Sequence, residues 1–432
     1  MTSGPPGGSL RAAEAAASRS GVAAGIAGEV TEVPSGKRYV QLVVVLGALI
    51  ALGPLTIDMY LPAFPEISTE LGVSDSAVQL TLTGMLAGLG AGQLVIGPLS
   101  DAFGRRRPLV IGLLTHALAS VLAAIAPSIY LLATVRVLQG FAGAAVSVVA
   151  MAIVRDLFSG YAVAKLMSRL MLVIGLAPII APSIGGAILT WTSWRGIFAV
   201  LAVAAVLLTG VAVLGVRETL PVGRRRPANL RATLSTYRSL VRDRSFLALV
   251  FIGGLMMSAM FAYVAGSSFV LQDGYGLDEA AFGIVFGLNA AGLTVAAQLN
   301  PLMIRRFGAV NVLSVAMLVG MLAATVLVVG GLTGRGGLVG VLVPLSVVVA
   351  SVGLSLPNTP ALALTRHGEA AGTAAAMLGS VQFGIGALVA PVVGLFGSRT
   401  AAPMGLVMMA VTLLASVLMF GVVRRDPTVG LD

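Results

Sequence analysis

Two ionisable residues stand inside long apolar segments of the sequence. Asp58 lies in the run Thr56-Ile-Asp-Met-Tyr60-Leu-Pro, and Arg136 opens the run Arg136-Val-Leu-Gln139-Gly. A charge in such a segment is costly and usually faces a cavity or a partner. We therefore expect Asp58 to exchange a proton and to pair with Arg136, which adjusts its proton affinity, with Tyr60 and Gln139 beside them. The alternative is that Asp58 sits at a polar boundary and Arg136 only supports packing.

A second group of polar residues follows the next apolar segment. It forms the run Gly97-Pro-Leu-Ser-Asp101-Ala-Phe-Gly104-Arg105-Arg-Arg. We expect Gly97 to let two helices approach closely, Asp101 to cap or pair at a helix end, and Gly104 to form a tight turn. The alternative is that the arginines serve only to orient the chain in a membrane.

A proline and two glycines stand close together in a third apolar segment, as Ala181-Pro182-Ser-Ile-Gly185-Gly186. Proline frees a backbone carbonyl, and glycine lets neighbouring helices approach each other. This run predicts a kinked and tightly packed helix. Packing alone, without any function, is the other interpretation.

The elements that carry these residues are predicted to cross a membrane. Of the 432 residues 57% are hydrophobic and 10% are charged, and the mean hydropathy is +1.00. Soluble domains carry about 25% charged residues, and a helix crosses the hydrocarbon with roughly 20 apolar residues. The sequence therefore predicts an all-α membrane protein with twelve transmembrane helices. Spans 1 to 12 are predicted at residues 39–61, 77–98, 108–126, 129–153, 164–189, 195–216, 246–271, 280–302, 309–330, 338–361, 371–396 and 401–422.

The positive charges predict the orientation of these spans. With the N-terminus inside, Arg195, Arg335 and Arg399 fall in outer loops and Arg136 in a span, whereas the other 23 of the 27 Lys and Arg residues are cytoplasmic. Positive residues are retained on the cytoplasmic side, so both termini are predicted to be cytoplasmic in the inner (plasma) membrane. The net charge of +10 then reflects topology, and no binding to nucleic acid is expected.

A basic linker divides the chain into two related parts. The run from Gly175 to Pro182 in span 5 recurs as the run from Gly384 to Pro391 in span 11. Chance similarity among helices rich in glycine and alanine is the alternative. The predicted organisation is a disordered cytoplasmic tail at 1–38, a six-helix bundle at 39–216, the linker at 217–245, a second six-helix bundle at 246–422 and a cytoplasmic tail at 423–432.

The composition also limits the chemistry that the chain can perform. It has no cysteine and only two histidines, His116 and His367, so a multi-histidine or cysteine-based metal site is excluded. No G-x-x-x-x-G-K-[ST] loop is present, so no ATP site is visible. We expect no cofactor, and we interpret His116 in span 3 as structural.

The three motifs resemble those of the major facilitator superfamily. The run from Gly97 to Arg106 is similar to its G-x-L-x-D-x-x-G-R-R loop, the run from Arg136 to Gly140 to its R-x-x-Q-G, and the run from Ala181 to Gly186 to its antiporter signature G-P-x-x-G-G, with Ala181 departing from it. Further runs resemble the bicyclomycin/chloramphenicol resistance (Bcr/CflA) branch of drug:proton antiporters: Asp58-Met-Tyr-Leu-Pro62, Arg155-Asp-Leu-Phe158, Trp194-Arg195 and Leu356-Pro-Asn358.

The resemblance implies a fold and a function. It implies the major facilitator fold, with two pseudo-symmetric six-helix bundles, and a latch formed by Gly97, Asp101, Gly104 and Arg105 that holds the two halves in one conformation. It also implies a monomer that exchanges a small drug-like substrate for protons across the lipid bilayer by alternating access. An uptake symporter on the same fold is the alternative. A membrane enzyme or receptor is disfavoured, because the spans contain no cluster of catalytic residue types.

Overall fold

The computed structural model describes residues 36–158, 160–225, 230–397 and 400–429, and these contain helices but no strand. Twelve of the helices are long and apolar enough to cross a membrane, which confirms the predicted spans. Residues 1–35 of the predicted N-terminal tail and residues 430–432 of the predicted C-terminal tail lie outside the described ranges.

The helices extend beyond the predicted spans at several ends. Spans 1 to 6 form the helices Gly36–Asp58, Asp75–Phe103, Arg106–Ala124, Ile129–Leu157, Gly160–Leu189 and Trp194–Gly215. Spans 7 to 12 form Arg244–Ser268, Glu279–Phe307, Ala309–Thr333, Gly337–Leu364, Ala371–Leu395 and Ala401–Gly421. Short helical segments lie between or after them at Leu61–Ala63, Phe64–Leu71, Val222–Arg224, Phe269–Gly274, Thr365–Ala370 and Val423–Arg425. A separate helix, Leu230–Arg242, lies within the basic linker, and the sequence analysis did not predict it.

Local sequence explains several of these helix ends. The helix of span 1 ends at Asp58, because Pro62 has no N–H to donate to the Asp58 carbonyl. Spans 4 and 8 begin after side-chain caps: Ser128 accepts from the N–H of Leu131 at 3.4 Å, and Asp278 accepts from the N–H of Ala281 at 2.7 Å.

Spans 2 and 8 end in the same way. Each contains a proline near its end, Pro98 or Pro301, and stops at a Phe-Gly pair. The glycines, Gly104 and Gly308, have φ values of 89° and 78°, which glycine adopts without the steric cost of a side chain. The tight turn predicted at Gly104 is therefore confirmed.

The two halves meet along span 2 with span 11 and along span 5 with span 8. We call the side that carries the linker and the turns at Gly104 and Gly308 the linker face, and the other side the opposite face. At the opposite face, Gln79 donates to the carbonyl of Ala265 at 3.0 Å and accepts from the N–H of Gly394 at 2.9 Å.

Two further hydrogen bonds close the opposite face beside the end of span 1. Ser268 donates to the carbonyl of Leu61 at 2.7 Å, and Gln272 donates to the carbonyl of Pro62 at 3.2 Å. Nearer mid-membrane, Thr294 of span 8 donates to the carbonyl of Gly175 in span 5 at 3.3 Å. Among the described residues, the hydrogen bonds that join the halves thus run from the opposite face to about the middle of the spans. The structure is closed at the opposite face.

Candidate functional site

Arg136 lies fully buried in span 4, where three groups hold its guanidinium. Its Nη1 donates to Oε1 of Gln139 at 2.6 Å and to the carbonyl of Thr56 at 3.1 Å. Its Cζ lies 4.2 Å from the centre of the Tyr60 ring, a cation–π contact. The i, i+3 spacing places Arg136 and Gln139 on one face of the helix, which explains their contact.

The network continues into span 3 through residues that the sequence analysis did not select. Gln139 donates to Oγ of Ser120 at 2.7 Å, and Ser120 donates to the carbonyl of His116 at 2.8 Å. His116 Nε2 lies 3.0 Å from Oγ1 of Thr56 in span 1. His116 therefore belongs to the polar network around Arg136, in addition to its structural role. A single histidine, serine or threonine in an apolar span carries no spacing signal that could have revealed this.

The guanidinium keeps one edge without a partner. Nε and Nη2 of Arg136 are buried and make no hydrogen bond within the described part of the chain. A buried donor without a partner costs about 1–3 kcal/mol, and more for a charged group. The interactions with Tyr60 and Gln139 offset part of that cost. This edge is available to a carboxylate or to an acceptor group of a ligand.

Asp58 is also buried, with 5% of its surface exposed, and it does not pair directly with Arg136. No ion pair joins the two within the described residues, because Arg136 binds the backbone of the same turn, at Thr56, instead of the Asp58 carboxylate. The predicted direct pairing is therefore wrong for this conformation. The predicted proton exchange at Asp58 stays a prediction.

The second half contributes uncharged polar and aromatic groups to this region. Tyr263 of span 7 lies within electrostatic range of Asp58 and stacks on Phe286 of span 8, with ring centres 4.9 Å apart. The hydroxyl of Tyr263 and that of Ser267, one turn further along, are buried and make no hydrogen bond among the described residues. Asn289 lies near the Tyr263 hydroxyl and accepts from Ser346 at 2.7 Å. Span 7 thus carries two buried hydroxyls, of which that of Tyr263 lies near the acid of span 1.

The glycines predicted in span 5 pack against the residues next to this site. A Cβ on Gly185 would collide with the carbonyl oxygen of Met59, the neighbour of Asp58. A Cβ on Gly186 would lie 2.9 Å from the carbonyl oxygen of Glu279 at the start of span 8. The predicted tight packing is confirmed, and the helix stays continuous through Pro182. Gly185 supports the end of span 1, whereas Gly186 lies between the two halves.

The loop between spans 2 and 3 forms a separate charged network at the linker face. Arg105 Nη1 donates to Asp101 at 2.6 Å and to Ser100 at 2.7 Å, and its Nε donates to Asp156 of span 4 at 2.8 Å. Burial lowers the pKa of the Arg105 guanidinium, whereas the hydrogen bonds to Asp156 and Asp101 raise it. Together the interactions with these acids outweigh burial, so the pKa of Arg105 lies above its ordinary value. The predicted pairing of Asp101 is confirmed.

Glu218, after span 6, completes this network by binding the backbone of the loop. Its carboxylate accepts from the N–H of Arg105 at 2.8 Å and from that of Arg106 at 3.2 Å. Burial raises the pKa of Glu218, whereas hydrogen bonds from the backbone N–H groups of Arg105, Leu220 and Arg106 lower it. The hydrogen bonds together outweigh burial, so the pKa of Glu218 lies below its ordinary value of 4.5. Glu218 was not predicted, because the sequence around an acid that follows a span does not indicate which residues it binds.

The predicted latch between the two halves stays a prediction. The described partners of Arg105 and Glu218 all belong to the first half or to the start of the linker, so this network does not join the two halves here. The close helix approach predicted at Gly97 is wrong for this conformation, since no described atom of another element lies within 4 Å of a Cβ placed there. The physical reason is that the halves are joined from the opposite face only to about mid-membrane.

Most of the chain matches one known protein family. Residues 46–391 match the sequence profile described as Major Facilitator Superfamily. The chain belongs to the major facilitator superfamily. Within this superfamily, the chain is 40% identical to an uncharacterised MFS-type transporter of Bacillus subtilis, YdgK, over 91% of this chain and 98% of that protein.

Two further relatives have names that refer to antibiotic resistance. A protein of Haemophilus influenzae named bicyclomycin resistance protein homolog is 34% identical over 84% of this chain and 91% of its own length. A protein of Pseudomonas aeruginosa named chloramphenicol resistance protein is 29% identical over 89% of this chain and 90% of its own length. These names agree with the Bcr/CflA branch that the motifs resemble.

The superfamily fold is also found by structural comparison. The xylose transporter XylE from E. coli has a TM-score of 0.71 and 15% identity over 90% of this chain and 98% of its own. Together with the twelve spans, this confirms the predicted major facilitator fold. The chain is thus a multi-pass membrane protein from a family of transporters.

Proposed function

We propose that this chain exports a small, mainly apolar, drug-like compound from the cell in exchange for protons. The observation that carries the proposal is the buried Arg136: its Nη1 binds the turn of span 1 that bears Asp58, and its Nε and Nη2 make no hydrogen bond among the described residues. A charged donor without a partner at membrane depth is a functional site by default. The names of the Haemophilus and Pseudomonas relatives support drug export.

The proposed cycle alternates access between the two halves. The distribution of Lys and Arg supports a cytoplasmic linker face in the plasma membrane, with both termini cytoplasmic. The opposite face, closed through Gln79, Ser268 and Gln272, would then face outward. A monomer would open that face by rocking its halves about the pairs of spans 2–11 and 5–8.

The latch belongs to the same cycle. In the observed conformation Arg105 binds Asp101 and Asp156 of its own half, and the Asp101 side chain is 49% exposed. When the halves close at the linker face, Asp101 and Arg105 are positioned to meet the second half, and Gly97 then gains the close neighbour that it lacks here. Opening of the opposite face would accompany this closure.

Proton coupling is proposed to depend on a change of partner by Arg136. In the observed conformation Gln139 and Thr56 hold the guanidinium away from the Asp58 carboxylate. A substrate that enters between the halves and displaces these bonds would turn the guanidinium toward Asp58. An opposite charge favours the charged carboxylate, so Asp58 would release its proton as substrate binds. This is the linkage that an antiporter requires.

Uptake by symport is the second candidate, and the same free edge of Arg136 supports it. If an acceptor group of the substrate occupies Nε and Nη2, Asp58 has no cationic partner and keeps its proton while substrate is bound. Substrate and proton then travel together. The two candidates predict opposite proton movements when substrate binds.

The test measures these protons directly. Purified protein in weakly buffered detergent solution is mixed with chloramphenicol or bicyclomycin, and a pH-sensitive dye reports proton release or uptake. The proposal predicts release by the wild type and none by Asp58→Asn. Asp278→Asn is the matched control, because asparagine keeps the helix cap at Asp278 while removing its charge.

Growth tests decide whether the chain exports these compounds. A drug-sensitive host that expresses the wild type or Asp278→Asn should survive higher drug concentrations, and one that expresses Asp58→Asn or Arg136→Ala should not. Proton uptake on binding would favour the symporter. Equal sensitivity of all strains to every compound would contradict export.

A further inference from the structure

The linker contains an amphipathic helix, Leu230–Arg242, that contacts only part of the protein. It packs against spans 7 and 11 of the second half, and Leu240 is the buried side chain that anchors it, at 1% exposure. Asp243 alone separates the helix from Arg244, the first residue of span 7. The C-terminal end of the linker helix therefore lies at the level where span 7 enters the membrane.

One stripe of the linker helix is apolar and largely exposed, with Tyr237 half-buried. At about 100° per residue, Leu234, Tyr237 and Val241 fall within an arc of about 60°. Leu234 is 65% exposed and Val241 is 49% exposed, whereas Leu240 points about 100° away, toward the second half. The stripe is thus neither packed inside the protein nor polar enough to favour water.

The edge of the stripe that lies away from the protein is basic. Arg238 and Arg242 follow the edge of the apolar arc by about 40° and 80°, and both are exposed, as is Arg244. Within the described part of the chain none of the three pairs with a carboxylate. The nearest acid in sequence, Asp243, caps span 7 through the N–H groups of Ser245 and Phe246 and lies 3.2 Å from His367.

The structure assigns this helix as a binding surface for anionic phospholipid headgroups at the linker face. A helix with an apolar stripe flanked by arginines, at the level of the membrane surface, inserts the stripe below the headgroups and places the arginines among the phosphates. The charge complementarity of Arg238, Arg242 and Arg244 selects anionic over zwitterionic lipid. Because the helix contacts spans 7 and 11, bound lipid would stabilise the second half. The assignment does not depend on export.

The affinity for anionic lipid provides the first test. Each arginine near an anionic surface contributes about five-fold to binding, so Arg238→Gln with Arg242→Gln should weaken phosphatidylglycerol binding about thirty-fold. Binding is measured as retained lipid by native mass spectrometry and as the rise in unfolding temperature when phosphatidylglycerol is added to detergent micelles. Arg305→Gln with Arg306→Gln, two exposed arginines at the end of span 8, is the matched control with the same loss of charge. Equal phosphatidylglycerol binding by the Arg238/Arg242 variant and the wild type would overturn the assignment.

The apolar stripe provides the second test. Leu234→Ser with Val241→Ser should also lose most of the phosphatidylglycerol effect, whereas Val222→Ser, an exposed apolar site outside the helix, should keep it. Water-soluble glycerol phosphate should give little stabilisation, because it has no acyl chain to reach the stripe. A full effect of glycerol phosphate would refute a lipid surface. Light scattering reports the oligomeric state of both proteins. If the wild type is a dimer and the serine variant a monomer, the stripe binds a second copy of the chain instead.

Discussion

Replacing Gly186 by alanine should open the opposite face of the interface between the halves. Gly186 of span 5 faces the first residue of span 8, and an added Cβ would lie 2.9 Å from the carbonyl oxygen of Glu279. The carbonyl is backbone at the start of a helix capped by Asp278, so it cannot move aside as a flexible side chain would. The collision exists only while the halves are closed at this face.

The size of the effect follows from this geometry. Contacts below 3.4 Å are tighter than ordinary packing, so the alanine overlaps its neighbour by about 0.5 Å. Overpacking of this kind costs about 1–3 kcal/mol. The gain in helix propensity from glycine to alanine is present in both conformations and cancels. The equilibrium between closed and open should therefore shift about 5- to 150-fold toward open.

A single cysteine reports this shift without interference, because the chain has no native cysteine. Ser267 is fully buried next to Ser268, which bonds across the closed interface, and the Ser267 hydroxyl makes no hydrogen bond among the described residues, so Ser267→Cys removes no visible contact. In membranes, a membrane-impermeant maleimide should label it slowly in the wild-type background and about 5- to 150-fold faster with Gly186→Ala. Gly292→Ala in span 8, where a Cβ meets nothing within 4 Å, is the control and should not change the rate.

An unchanged labelling rate in Gly186→Ala would refute the reasoning. It would mean that the contact with Glu279 relaxes at no cost or that the two faces do not alternate. Equal acceleration by Gly186→Ala and Gly292→Ala would also refute it, because helix propensity would then explain the result instead of the contact between the halves.

Two further results are expected. Gln79→Leu removes both hydrogen bonds of a buried amide that bridges the halves. Each backbone group left unpaired costs about 1–3 kcal/mol, so the substitution should also accelerate labelling of Ser267→Cys. An unaltered labelling rate would contradict the role of Gln79 as a bridge. The folded-state pKa of Glu218 is depressed below 4.5, so its stabilisation is fully present above pH 4.5 and is lost as the pH falls through the folded-state pKa. Glu218→Gln should therefore lower the unfolding temperature at pH 7, and its difference from wild type should shrink below about pH 4.5; a constant difference would contradict the linkage.

The sequence predicted the elements better than their partners. Runs of about 20 apolar residues predict the spans, because the length needed to cross the hydrocarbon depends on the membrane and not on how the helices pack. Gln139 was expected beside Arg136, and the two are in contact because they lie three residues apart on one helix. The contacts of Arg136 with Thr56 and of His116 with Thr56 join different helices, and no pattern in one sequence encodes them.

The errors arise from conformation and from the linker. Gly97 was expected to contact another helix. Whether it does depends on which face of the protein is closed, and the sequence motif cannot indicate which face that is. The linker helix was missed because its apolar residues, among them Leu234, Tyr237 and Val241, are spaced by three and four among many polar ones and fall far short of a span. The prediction for the linker used only its many arginines and not the spacing of its apolar residues.

The two halves share backbone features but divide the proposed chemistry unequally. Pro98 and Pro301 stand before matching turns, so the second helix of each half ends with the same geometry. The buried charges, Asp58 and Arg136, both lie in the first half, and Tyr263 of the second half offers only a neutral hydroxyl. A proton on Asp58 therefore changes the charge of the interface without requiring a compensating charge across it. Under the proposed function, the second half would supply neutral polar groups for substrate recognition, and the coupling residues would all lie in the first half.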